Sequence, residues 1–169
     1  GSYASRCTVR GHSMTETNPL ELVITRTIDV SRAQVWKAWT VKEHIEQWWC
    51  PKPWRAEFVS FEMRPGGAFD MRMTGPEGEE QFIPASILDI VPKERIVFTD
   101  ILRSAWRPVE KPFLGFAAII TMKDAGAGTS YTARVQHKTP EDAKKHGEMG
   151  FYDGWGTCIT QLETFAKTL

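Results

Sequence analysis

Three histidines, His44, His137 and His146, and two cysteines, Cys50 and Cys158, are the side chains of the main body best suited to acid–base, nucleophilic or metal chemistry. Their spacing supports none of it directly. No pair of these histidines has the interval at which one helix face holds a metal, and no CxxC pair is present. The chain contains no G-x-S-x-G, HExxH, P-loop or GxGxxG stretch. Each histidine therefore reads first as a satisfied or exposed polar group, and Cys158 as buried packing. Asp153 and Glu148 lie near the C-terminus, where they could face inward. An enzymatic reading would rest on His137, His146 or Asp153 buried beside a partner, because such surroundings shift pKa values toward catalytic use. A histidine displaced by more than about two pH units from 6.5 would mark that case. The residues assign no catalytic group, no metal ligand and no cofactor.

Aromatic surface is the other chemical resource. Five of the 7 tryptophans, Trp36, Trp39, Trp48, Trp49 and Trp54, fall in one short segment that ends HIEQWWCPKPW. They suit a core, a stacking platform for bases, or the wall of an apolar cavity. Stacking on nucleic acid calls for interleaved basic residues; Lys42, Lys52 and Arg55 are too sparse for that. Lys+Arg and Asp+Glu are both 21, so the chain has no net charge with which to draw nucleic acid or an anionic membrane. The longest apolar runs, such as FLGFAAII, are too short to cross a bilayer. The composition is that of one soluble domain with a real core. Residues 1–13 lack periodicity and read as a foreign or disordered tail, with Met14 as the start of a single domain over 14–169. An uneven set of unpaired cysteines fits a reducing cytoplasm.

The elements that would position these residues follow from periodicity. ELVITRTIDV is a first strand. Ser31 and Gln34 form a capping-box pattern, opening a helix with Val35, Trp36 and Trp39 on its apolar face. Trp36 and Trp39 differ by about 300° around the axis, so they divide between core and cavity. A second short helix covers 41–48 and stops at Cys50-Pro51. Period two then takes over, with strands at 54–63, 69–74, 80–91, 94–102, 113–122 and 129–138. RPGG at 64–67 makes a turn, and RSAWRPVEKP a longer loop. Phe69, Met71 and Met73 alternate with Asp70, Arg72 and Thr74, one face buried and one wet. Tyr131, Ala133, Val135 and His137 share a face likewise. Thr139-Pro140-Glu141-Asp142 starts a final helix running to about 167, with Met149, Tyr152, Trp155, Ile159 and Leu162 as its stripe. The order predicts an α+β domain with one antiparallel sheet.

That last helix holds a conflict. Gly147, Gly150, Gly154 and Gly156 each cost about 1 kcal/mol against alanine in a helix interior. Either the helix breaks, or glycine leaves room for a packed neighbour or a ligand.

Several stretches together resemble the START-like (SRPBCC, helix-grip, Bet v 1-like) proteins of the activator of Hsp90 ATPase homologue family. They are ITRTIDVSRAQVWKAWT, IEQWWCP, FEMRPGGAFDMRM, PEGEE, ILDIVPKERIVFTD and the Gly154-Trp155-Gly156 helix, spanning about residues 20–167. The resemblance implies a curved antiparallel sheet of about six to seven strands around a long C-terminal helix. It implies two short helices after the first strand and a cavity between sheet and helix. It implies no fixed reaction, since related domains include lipid carriers, cyclases and stress-associated proteins.

Alternation combined with that cavity makes Trp39, Trp49, Phe69, Met71, Phe98, Tyr131, Met149, Tyr152 and Trp155 the expected ligand-lining residues. The leading expectation is a cytoplasmic, stress-related protein that binds a small hydrophobic or aromatic ligand, as monomer or homodimer, without nucleic acid or membrane as partner. A cavity-based cyclase or hydrolase is the alternative. Chaperone contact through an interaction module is a third reading, requiring a contiguous exposed apolar patch.

Overall fold

A computed structural model describes residues 18–169. The expected tail at 1–13 and the start at Met14 lie outside the described residues. Strand β1 (Glu21–Ile28) leads into helix α1 (Arg32–Thr40) and the single-turn α2 (Lys42–Ile45). The strands β2 (Arg55–Phe61), β3 (Phe69–Thr74), β4 (Glu80–Ile83), β5 (Ser86–Val91) and β6 (Arg95–Thr99) follow. A two-residue hairpin, β7 (Leu102–Arg103) and β8 (Arg107–Pro108), precedes the long strands β9 (Phe116–Ala125) and β10 (Gly128–His137). Helices α3 (Pro140–Glu148) and α4 (Phe151–Ala166) complete the chain. Among the described residues, no helix is long and apolar enough to cross a membrane.

The strands form a curved antiparallel surface. Five run in the order β1-β10-β9-β6-β5, and three in the order β2-β3-β4. The ladders join where Ala68 bridges Ser86, Phe69 N–H donates to the Ala85 carbonyl and Ile87 N–H to that of Gly67. The predicted strand 80–91 is therefore two strands. Pro84 has no N–H to offer a ladder, and the chain changes sheet there.

Local signals in the sequence set the helices. Ser31 and Gln34 form the reciprocal capping box that opens α1. Gln34 Nε2 also reaches the carbonyls of Ala166 and Leu169, satisfying orphan acceptors at the end of α4. Thr139 caps α3 through Asp142 N–H, with Pro140 at its first turn. The predicted single helix to 167 is broken. Gly150 sits at φ 95°, left-handed, and separates α3 from α4.

The core answers most of the tryptophan question. Trp39 and Trp48 are fully buried between the short helices and the sheet; Trp36 is half-buried and Trp54 lies at the surface. Trp48 donates to the Ala38 carbonyl and Trp39 to the Tyr131 hydroxyl, so neither buried indole N–H is unpaired. Asp70, expected on the wet face of β3, is only 8% exposed and accepts the Ala85 N–H at 3.1 Å. It holds the bend between β4 and β5.

Candidate functional site

A cavity of about 270 Å³ lies between the curved sheet and the α3–α4 junction. Three groups of residues build it. The sheet contributes Met71 and Met73 from β3, Ile83 from β4, Phe98 from β6 and Phe116 from β9. The loop after α2 contributes Trp49, Cys50 and Pro51. From α4 come Phe151, Gly154, Trp155 and Cys158, spaced i, i+3, i+4, i+7 and so on one helix face. Met149 and Phe113, both largely exposed, stand at its mouth.

The Trp49 segment is fixed in place by α4. Gln161 Nε2 donates to the carbonyls of Trp48 and Cys50 at 3.1 and 2.9 Å, and its Oε1 accepts the Lys52 N–H at 3.1 Å. The Cys158 thiol donates to the Trp49 carbonyl at 3.1 Å. Trp49 Nε1 in turn points at Met71 Sδ, 3.0 Å away. The ring meets Trp39, Phe58 and Phe69 edge-on, with centroids 5.3, 5.7 and 5.4 Å apart. Such pairs each contribute about 0.5–1.5 kcal/mol beyond burial. The wall of the cavity is thus the outer layer of a rigid aromatic core.

Of the expected lining residues, Trp49, Met71, Phe98, Met149 and Trp155 stand on this wall. Trp39, Phe69 and Tyr131 do not: Trp39 and Phe69 are buried one layer deeper, against Trp49 and Phe98, and Tyr131 is buried against Trp39. Tyr152 is 53% exposed and points to solvent. Tyr152 falls at the margin of the α4 stripe, about 100° round the axis from Phe151, whereas Trp155, Ile159 and Leu162 of the same expected stripe do face inward. The inward stripe begins at Phe151 and not at Tyr152.

The glycines divide among the three explanations the sequence left open. Gly150 breaks the helix. Gly154 lines the cavity, and a Cβ there would meet nothing within 4 Å. Gly156 is a packing position: its Cβ would lie 2.8 Å from Arg26 Nη2 and 3.6 Å from Ile24 Cδ1 on β1.

The polar part of the cavity was not legible in spacing. His137 and His146 meet, Nε2 to Nδ1, at 2.9 Å, and are only 5% and 6% exposed. His137 Nδ1 also bonds to the Leu20 carbonyl at 3.0 Å. His146 lines the cavity beside the buried Asp100, whose carboxylate accepts N–H groups from Leu114, Gly115 and Phe116 at 2.7, 3.1 and 2.9 Å. Burial, and then the neighbouring His137, push the His146 pKa down to about 4 against a smaller opposing pull from Asp100. The ring is neutral at physiological pH. Burial pushes the thiols up, Cys50 to about 11 and Cys158 to about 12. Asp153, the other polar candidate, is exposed on α4, and His44 packs on Phe165 away from the cavity. Among the described residues no cluster of three or more His, Cys, Asp or Glu could hold a metal.

A curved antiparallel sheet around a C-terminal helix, with a cavity between them, is the helix-grip architecture. The profile of the family described as activator of Hsp90 ATPase homolog 1-like protein matches residues 29–167, and the chain belongs to that family. A crystal structure of a protein from Nitrosomonas europaea is 35% identical, covers 90% of this chain and 97% of its own, and has a TM-score of 0.85. A solution structure of a protein from Arthrobacter aurescens is 25% identical with a TM-score of 0.77, covering 91% of each chain. One from Staphylococcus epidermidis, 20% identical over 92% of this chain and 94% of that one, shares the fold with a TM-score of 0.77. No curated protein matches the chain.

Proposed function

We propose that this protein binds a small hydrophobic or aromatic molecule in the cavity between its sheet and α4. The observation that carries this reading is the wall itself. Trp49, Met71, Phe98 and Trp155 line about 270 Å³ of space, and Gly154 on α4 lines it too, where a Cβ would meet nothing within 4 Å. Apolar walls with a few convergent polar groups are the usual form of a small-molecule site. The free thiols of Cys50 and Cys158 fit a reducing, cytoplasmic setting. A stress-related role is part of the same proposal and rests on the family resemblance.

A cavity-based cyclase or hydrolase is favoured by one observation, the His137–His146 pair at the cavity wall. The displacement of the His146 pKa from 6.5 to about 4 passes the two-unit mark set for an enzymatic histidine, but its direction counts against a general base. A group that protonates only near pH 4 is a weak base at neutral pH, whereas a general base works best with a pKa near the operating pH.

The test is an apolar fluorophore added to the whole chain. It should bind and change tryptophan emission, since Trp49 and Trp155 are on the wall, and Gly154→Leu should weaken that binding at least about tenfold. Equal binding by the Gly154→Leu chain, or none by the natural one, would remove the ligand reading. Native mass spectrometry of protein from its own host then searches for the co-purified molecule.

A further inference from the structure

The polar end of the cavity constrains what its apolar part can take. The Leu20 carbonyl can only accept, and it receives both the His137 backbone N–H at 2.8 Å and His137 Nδ1 at 3.0 Å. Nδ1 therefore carries a proton, and in a neutral ring the other nitrogen is then an acceptor. That nitrogen, Nε2, faces His146 Nδ1 at 2.9 Å, so His146 carries its proton on Nδ1 and leaves Nε2 with a free lone pair. Both rings are buried, and among the described residues neither bonds to a carboxylate. His146 Nε2 has no protein partner among the described residues. Among those residues Arg103 Nε is the one side-chain nitrogen or oxygen both buried and partnerless. His146 Nε2 therefore keeps some exposure, and its ring lines the cavity.

The surroundings of that lone pair are aromatic. Phe151, Phe116 and Trp155 have ring centroids 5.2, 6.1 and 6.4 Å from the His146 ring. Asp100 stands on the same wall with its carboxylate held by three backbone N–H groups. Among the described residues no lysine or arginine lines the cavity. An organic anion would lose its hydration there, find no cation, and lie near a carboxylate. A neutral donor finds an acceptor among apolar side chains, where such a bond is stronger than in water. As for size, an apolar cavity of about 150 Å³ holds benzene; the larger space here takes a fused bicyclic ring.

We propose that the ligand is a neutral aromatic hydroxyl compound, a phenol of one or two fused rings, whose O–H donates to His146 Nε2. The inference rests on the cavity being a ligand site. His137 is the positioning residue: through Leu20 it fixes which nitrogen of His146 is left to accept.

Calorimetry on the whole chain at neutral pH, with 2-naphthol, naphthalene and 2-naphthoate as probes, tests it. 2-Naphthol should bind about tenfold tighter than naphthalene, the worth of one hydrogen bond, and 2-naphthoate weakest. His146→Phe should abolish the preference for 2-naphthol over naphthalene, the two then binding alike. Equal affinity of the natural chain for 2-naphthol and naphthalene, or tighter binding of 2-naphthoate, overturns the hydroxyl assignment and leaves the cavity reading standing. Binding of none of the three removes both. Should His146→Phe fail to fold, nitrogen NMR of the natural chain decides. 2-Naphthol must move the His146 Nε2 resonance more than naphthalene does, and the same response to both overturns the proposal.

Discussion

The indole N–H of Trp39 donates to the hydroxyl of Tyr131 across 3.1 Å, and both side chains are buried. This bond ties α1 to the middle of β10 from inside the core. It also explains why Tyr131, the one buried tyrosine among the described residues, is not a ligand group. Burial holds its phenol above the ordinary value, opposed in part by the Trp39 bond. Removing the hydroxyl leaves the indole N–H without a partner where water cannot reach it. Tyr131→Phe should therefore cost about 1–3 kcal/mol in urea unfolding, with affinity for a cavity probe unchanged. A loss below about 0.5 kcal/mol would show that the bond stabilises nothing.

The glycines of the α3–α4 region should respond in three different ways. Gly150 has φ 95°, and a Cβ there would meet nothing within 4 Å, so the cost of Gly150→Ala is purely conformational. It should destabilise by about 1–2 kcal/mol, and Gly150→Asn by less. Gly154→Ala is the opposite case, with helical backbone and empty space beside it; it should stabilise by up to about 1 kcal/mol while shrinking the cavity. Gly156→Ala pushes only on the exposed end of Arg26 and should leave probe affinity unaltered. Thermal unfolding and probe titration of the set distinguish the three; equal effects at 150 and 154 would contradict these assignments.

Those glycines also mark where sequence reasoning stops. The caps at Ser31 and Thr139 and the inward face of β10 are local or strictly periodic, and they are in the structure as read. Period two says that Phe69 and Tyr131 point inward. It does not say whether inward means packed core or open cavity, because that depends on what stands opposite. The expected helix ran through Gly150, whose left-handed backbone starts a new helix at Phe151; Trp155, Ile159 and Leu162 face inward as read, and Tyr152 lies just past the edge of that face. His137 and His146 are nine residues apart across a strand-to-helix turn. Their contact is tertiary, and its only sequence signal was the place of His137 on the inward face.

The cavity thiols should be unreactive. The thiolate is the nucleophile, and burial keeps Cys50 and Cys158 protonated to about 11 and about 12. At pH near 8, iodoacetamide should alkylate both more than about a hundredfold slower than a free thiol of ordinary pKa near 8.5. Peptide-level mass spectrometry measures each site and counts Cys7 separately. Labelling within about tenfold of a free thiol would mean that the segment held by Gln161 opens readily.

Stability should fall in mild acid through His146. Its folded pKa, about 4, is below the unfolded value near 6.5, so the unfolded chain binds the extra proton. Stability is then full above about pH 6.5 and declines as pH falls toward 4. The decline attributable to this ring is at most about 3 kcal/mol, taking 1.36 kcal/mol per pH unit of displacement. The groups facing the ring are His137, which opposes its protonation, and Asp100, which favours it. Carboxylates elsewhere titrate near the lower end of this window, so the informative quantity is the difference between two chains. Urea unfolding of the natural protein and of His146→Phe, compared at several pH values from 7 to 4, isolates it. The natural protein should lose up to about 3 kcal/mol more than the variant across that range. Parallel curves would mean that His146 titrates alike folded and unfolded, and that the cavity wall around it is wet.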